Sequence, residues 1–100
     1  MQTHNDTYIN ANMSSGRGSV DTTYDALVNL FGKPCLIDSF DGKVRAEWII
    51  KFDDGTIATI YDWKEDQPLE QVTDWHVGGF SPKALTLVAA EITEAQNLTI

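Results

Sequence analysis

The chain is poor in the residues that do chemistry. Cys35 is its only cysteine, and His4 and His76 are its only histidines. One thiol excludes an internal disulfide and a multi-cysteine zinc site. Cys35 lies in an apolar run with no base beside it, so it reads as a small buried hydrophobe in a reducing compartment. No Gly-x-Ser-x-Gly elbow, His-x-x-x-His or His-Glu-x-x-His spacing occurs, and no Gly-Lys-Ser/Thr follows the Gly16-Arg17-Gly18 stretch. The inventory therefore predicts no catalytic residues, no cofactor and no metal site.

Long apolar runs are missing as well. None approaches the 18 residues that suggest a membrane-spanning helix. Residues 1–19 combine neither a basic n-region nor an apolar h-region, so no secretory signal is expected and the cytoplasm is the expected location. The Asn-x-Ser/Thr triplets beginning at Asn5, Asn12 and Asn97 then read as chance matches. Positive charge is scarce: 7 Lys and Arg stand against 15 Asp and Glu, a formal net charge of −8. That balance argues against nucleic acid or an anionic membrane as a partner. It leaves two uses, solubility or docking onto a protein with a basic surface, and homo-oligomers are compatible with either.

What is present suffices for one small domain. A chain of 100 residues with 42% hydrophobic content supports a single, thin core. Residues 1–19 are polar and include Ser14-Ser15-Gly16-Arg17-Gly18-Ser19, which reads as a flexible N-terminal arm anchored at most by Tyr8, Ile9 and Met13 in a short edge strand. Residues 20–100 read as the folded α+β domain. Asp21 or Thr22 can cap a helix over residues 23–31, with Tyr24, Leu27, Val28 and Phe31 at helical spacing, Gly32 as its stop and Pro34 beyond.

A short apolar run, Cys35 to Phe40, ends at the turn dipeptide Asp41-Gly42. Two alternating runs, VRAEWIIKF and TIATIYDW, then flank Asp54-Gly55, a strong hairpin signal. A two-residue loop there pairs Phe52 with Ile57, Ile50 with Thr59, Trp48 with Tyr61 and Ala46 with Trp63 on one large, aromatic core face. The opposite face pairs Ile49 with Ile60, Glu47 with Asp62 and Arg45 with Lys64, and is mostly polar. VTDWHV reads as a fourth strand ended by Gly78-Gly79. Ser81-Pro82 opens a second helix with Leu85, Val88, Ala89 and Ile92 along one stripe, and the tail NLTI frays or adds an edge contact. The order is α-β-β-β-β-α: an α+β fold with a mostly antiparallel four-stranded sheet and two helices on one face.

Two groups of side chains stand out. Glu47 opposite Asp62, followed in the connector by Glu65 and Asp66, forms an acidic face for a partner. Two paired carboxylates can also share a proton or a cation, although Arg45 and Lys64 nearby make them an ordinary charge lattice. Asp53-Asp54-Gly55 resembles the start of a calcium loop but lacks the later ligand spacing and the terminal glutamate. The alternative group is Trp75 and His76 with Gly78 and Gly79, where a strand meets a helix N-terminus that favours anions. With Arg17, Lys64 and Lys83 gathered there, it would form a small pocket for a nucleotide signal.

Four stretches carry a resemblance: GRGSVDTTYDALVNLFGKP, RAEWIIKFDDGTIATIYDWK, VTDWHVGG and SPKALTLV. Their Phe-Gly-x-Pro helix end, Glu-Trp hairpin and Trp-His-x-Gly-Gly segment resemble a family of small bacteriophage-encoded proteins, over about residues 16–88. The helix and hairpin more weakly resemble the helix-then-meander module of outer-membrane assembly lipoproteins, whose lipid-anchoring N-terminal cysteine has no counterpart here. The phage resemblance implies an accessory protein that works by stoichiometric binding. An inhibitor of a host enzyme or of a defence system such as a CRISPR complex is the expected type, with a basic host or defence-system protein as partner.

Overall fold

The computed structural model describes residues 1–37 and 42–97. Six strands, β1 (Gln2–Thr3), β2 (Ser15–Asp21), β3 (Cys35–Leu36), β4 (Ala46–Lys51), β5 (Ile57–Tyr61) and β6 (Asp74–Gly79), form one sheet with α1 (Tyr24–Phe31) and α2 (Lys83–Asn97). The order across the sheet is β1-β4-β5-β6-β2, with β3 also on β4, and every pairing is antiparallel. This is the expected α+β class with two more strands than the sequence suggested. The turn residue Asp41, the end of the apolar run before it and the tail from Leu98 lie outside the described residues.

α1 is capped by Thr23, one residue after Thr22 and two after Asp21, the two expected caps. The Thr23 hydroxyl accepts from the Ala26 N–H at 3.1 Å, and the helix stops at Gly32, whose N–H donates to the Val28 carbonyl at 2.8 Å. α2 lays Ala84, Val88 and Ile92 on the sheet. At the centre of the core Trp48 and Trp75 meet edge to face at 5.5 Å, and Tyr24 of α1 packs on both. Each indole N–H has a partner: Trp48 Nε1 donates to the Gly32 carbonyl at 2.8 Å and Trp75 Nε1 to the Val72 carbonyl at 3.1 Å. Buried tryptophans need such partners, so α1's end and the chain before β6 are fixed together with the core.

The N-terminal arm is not a loose extension. Its second half is β2, which runs the length of β6 with a bulge at Arg17, where Gly16 faces Gly78 and Gly18 faces Val77. Its first half pairs β1 with β4, extends the ladder through His4 N–H to the Ile49 carbonyl at 2.9 Å, and buries Ile9. Glycine and serine hid the strand, because backbone pairing with β6 needs no apolar alternation of its own.

The hairpin differs from expectation by one residue. Its loop has three residues, Asp53-Asp54-Gly55, closed by Phe52 N–H to the Thr56 carbonyl at 2.8 Å and Gly55 N–H to the Phe52 carbonyl at 2.9 Å, with Gly55 at φ 90°. That is the three-residue hairpin loop ending in a left-handed glycine. The pairs are therefore Lys51 with Ile57, Ile50 with Ala58, Ile49 with Thr59, Trp48 with Ile60 and Glu47 with Tyr61. A one-residue slip exchanges the faces of the whole second strand. Trp48, Ile50 and Phe52 are buried as expected, but their neighbours from β5 are Ala58 and Ile60. Ile57, Tyr61 and Trp63 move to the opposite side, and Asp62 falls in step with Ile60.

Candidate functional site

The helices cover one face of the sheet and leave the other open, and the slip decides what that open face displays. β4 contributes Glu47, β5 contributes Thr59 and Tyr61, and β6 contributes His76 and Gly78. Tyr61 and His76 are direct neighbours across the β5–β6 ladder, with rings stacked at 5.8 Å and 24°. Tyr61 also meets Trp63 edge to face at 6.5 Å. The Lys43 and Lys64 ammonium groups lie 5.8 and 5.6 Å from the Trp63 ring centroid, within cation–π range.

Beside this aromatic row is a cleft of about 240 Å³, lined by Ser15, Glu47, Thr59, Tyr61, Trp63 and Gly78 among others. The glycine is a condition of its shape. A Cβ at Gly78 would come within 2.7 Å of Thr59 Oγ1, 3.3 Å of the Ser15 carbonyl and 3.6 Å of Tyr61 Cε1. Thr59 and Tyr61 can lean over β6 only because nothing projects there. Gly79 serves the other face, where a Cβ would collide with that of Ala84 on α2. The Trp-His-Val-Gly-Gly segment thus alternates strictly: Trp75, Val77 and Gly79 inward, His76 and Gly78 outward.

Glu47 carries the electrostatics of the cleft. It is half-buried, and among the described residues its carboxylate has no hydrogen bond and no ion pair. Burial alone pushes its carboxyl above the ordinary glutamate range. Tyr61 is raised by burial first and by the Glu47 charge second, and the same two causes in the same order raise Cys35, which faces Glu47 across β3–β4. Burial thus disfavours the ionised form of Glu47, and a positive group beside it would favour that form.

The expected acidic face is only partly assembled. Asp62 is fully buried, not paired with Glu47. Its Oδ1 accepts from the backbone N–H groups of Arg45 at 2.8 Å and Ala46 at 3.0 Å, and its Oδ2 from Arg45 Nε at 2.9 Å. It is a structural clamp across the hairpin base, out of reach of a partner. Glu65 is half-buried and accepts from Gln67 Nε2 at 3.1 Å, and Asp66 is exposed on the connector.

The alternative pocket is dispersed. Trp75 is sealed in the core, whereas His76 is on the open face with Nε2 3.8 Å from Asp74 Oδ2. Arg17 Nε donates to the Gly79 carbonyl at 3.1 Å. Lys83 pairs with Asp54 at the hairpin loop, and Lys64 is at Trp63. The Asp54 carboxyl is held well below the usual carboxylate range, first by Lys83 and then by Thr56. The three cations therefore occupy three separate places, and no anion pocket forms around Trp75.

A second recess of about 290 Å³ opens between the helices, lined by Ala26, Leu30, Ile92 and Ala95 with Thr22, Asn29 and Gln96. It carries no ionisable side chain. Among the described residues no helix is long and apolar enough to cross a membrane, and no group of three or more His, Cys, Asp or Glu is placed to hold a metal. Sequence reasoning assigned Tyr61 and Trp63 to the core and so missed the aromatic half of the open face. A three-residue loop at Asp53-Asp54-Gly55 was the signal that would have found it. Compared with models of protein families, with curated proteins and with solved structures, the chain matches none.

Proposed function

We propose that this protein acts by stoichiometric binding, without catalysis, and that the open sheet face is where a basic protein docks. The observation that carries this reading is Glu47: a half-buried carboxylate with no counter-ion among the described residues, raised by desolvation, lining a cleft together with an exposed tryptophan. Polar groups that are neither solvated nor paired raise the free energy of the fold. A partner's cation removes that penalty on docking, so the cost of holding Glu47 becomes binding energy. The net charge of −8 adds a longer-range attraction that speeds encounter with a basic surface.

On the resemblance to small phage-encoded proteins, the setting we propose is an accessory inhibitor of a host enzyme or of a defence complex such as a CRISPR effector. The rival reading, sequestration of a nucleotide signal near Trp75 and His76, has no assembled pocket to draw on. The experiment is affinity capture from host lysate followed by titration of the recovered protein against wild type, Glu47→Gln and Trp63→Ala. The expected result is weaker binding by both variants and by wild type at high salt, because exposed charges are screened beyond about 8 Å at physiological ionic strength. Equal affinity of all three chains, independent of salt, overturns the open-face reading.

A further inference from the structure

We infer that the cleft on the open face receives the guanidinium of a partner's arginine, set between the Glu47 carboxylate and the ring of Tyr61. This rests on the proposed docking at that face and names the chemistry of its central contact.

Size is the first argument. The cleft, at about 240 Å³, is smaller than the roughly 300–1,000 Å³ of pockets that engulf drug-sized ligands. It suits one long side chain better than a nucleotide. Charge is the second. Glu47 is the only carboxylate among the described cleft-lining residues, and burial has stripped part of its hydration without a hydrogen bond or ion pair from any described residue. Thr59 and Tyr61, which also line the cleft, carry hydroxyl oxygens and no positive charge. The site offers acceptors and asks for a donor with positive charge.

The choice between the two long cations follows from hydration and shape. An ammonium is compact and strongly hydrated, and entering a recess strips that shell. A guanidinium is flat and weakly hydrated, donates in a fork that matches both carboxylate oxygens, and stacks on aromatic faces. Tyr61 is the ring available for stacking. It is braced on one side by His76, and its hydroxyl end extends toward Gly16 across β6. Trp63 is already attended by the Lys43 and Lys64 ammonium groups. Their charge disfavours a third cation at the Trp63 end and leaves the Glu47 end as the seat. Arrival of a guanidinium lowers the raised Glu47 carboxyl, so the complex holds fewer protons than the free protein. Affinity must then rise with pH through the acid range in which free Glu47 titrates.

Blocked tripeptides Gly-Arg-Gly, Gly-Lys-Gly and Gly-citrulline-Gly test this on the whole chain, with amide and indole NMR signals of Glu47, Thr59, Tyr61 and Trp63 as readout. The expected result is weak, saturable binding of the arginine peptide that tightens as pH rises. It should be about tenfold or more weaker for the uncharged citrulline peptide and for Glu47→Gln, the scale of losing one charge-assisted contact. Tyr61→Leu, which keeps the carboxylate and removes the stack, should weaken the arginine peptide and narrow its advantage over lysine. Equal shifts from arginine and citrulline, lysine binding as tightly as arginine, wild-type affinity in Glu47→Gln, or no binding by any peptide each overturn the assignment. The outcome is separable from that of the docking reading. If Glu47→Gln and Trp63→Ala weaken the captured partner but no peptide binds, the face stands and the arginine falls. If the peptides bind as expected while partner affinity ignores the face, the reverse holds.

Discussion

Glu47 and Trp48 are neighbours on one strand, and they stand for the two faces of the sheet. On the covered face Trp48, Ile50, Ile60, Trp75 and Val77 are sealed, and both indole N–H groups are satisfied. Even the buried carboxylate Asp62 receives three hydrogen bonds. On the open face Glu47 gives up hydration and, among the described residues, receives neither a hydrogen bond nor an ion pair. Burial with partners is the signature of a residue that holds the fold, because an unsatisfied buried group costs about 1–3 kcal/mol or more. Burial without partners, in a cleft, is the observation on which the proposed docking at Glu47 draws. The difference is local, and four substitutions in order of expected effect can break or sharpen it.

The largest effect belongs to the covered face. Trp48→Ala should destabilise by about 3–5 kcal/mol, because it empties the middle of the Tyr24–Trp48–Trp75 cluster and orphans the Gly32 carbonyl. Against a typical total of about 5–15 kcal/mol this brings the domain near unfolding. Melting within a few degrees of wild type would mean the covered face is not the core. Next comes Asp62→Ala, expected to cost about 3 kcal/mol. This is the low end for a broken buried pair, since Arg45 is itself about one-third exposed. Chemical denaturation measures it, and an unaffected midpoint would return Asp62 to the list of partner-binding acids. Gly79→Ala should cost about 1–3 kcal/mol by forcing α2 away from β6. A neutral result there would show that the helix shifts freely.

The same comparison explains what was legible in the sequence. α1 and its stop could be read because Tyr24, Leu27, Val28 and Phe31 repeat at helical spacing and Gly32 with Pro34 forbids continuation. The hairpin could be read as an element, yet its register could not. TIATIYDW has large apolar residues at both parities, so hydrophobic pattern does not choose between Ile57–Tyr61–Trp63 and Ala58–Ile60–Asp62 as the inner set. The loop chooses. Asp54 Oδ1 accepts from the Thr56 N–H at 2.9 Å, and its carboxylate is gripped by Lys83 from α2, which fixes a three-residue turn by a contact far away in sequence. Glu47 was recognised, and Asp62 was misplaced by the same slip. β2 stayed hidden because its strand character comes from the β6 ladder and not from its own side chains.

The smallest effect expected is also the one of opposite sign. Burial raises the Glu47 carboxyl, so the folded chain keeps this proton over a pH range in which the unfolded chain has released it. The folded state then binds more protons than the unfolded state, and the contribution of Glu47 to stability falls as pH rises from the ordinary glutamate range through the raised value. Below that range both states are protonated and no penalty exists. Glu47→Gln imitates the protonated acid at every pH. It should therefore raise the melting temperature at neutral pH, and the gain should vanish in acid. Part of the carboxylate remains in water, which holds the gain to about 1 kcal/mol or less, at most several degrees for a domain of this size. A melting temperature that drops at neutral pH would mean that Glu47 is held by the fold as Asp62 is, and the contrast between the faces would disappear. A rise, together with weaker partner binding by the same variant, is the combination a purely structural carboxylate cannot produce. It would show stability given up at one residue for recognition at that residue.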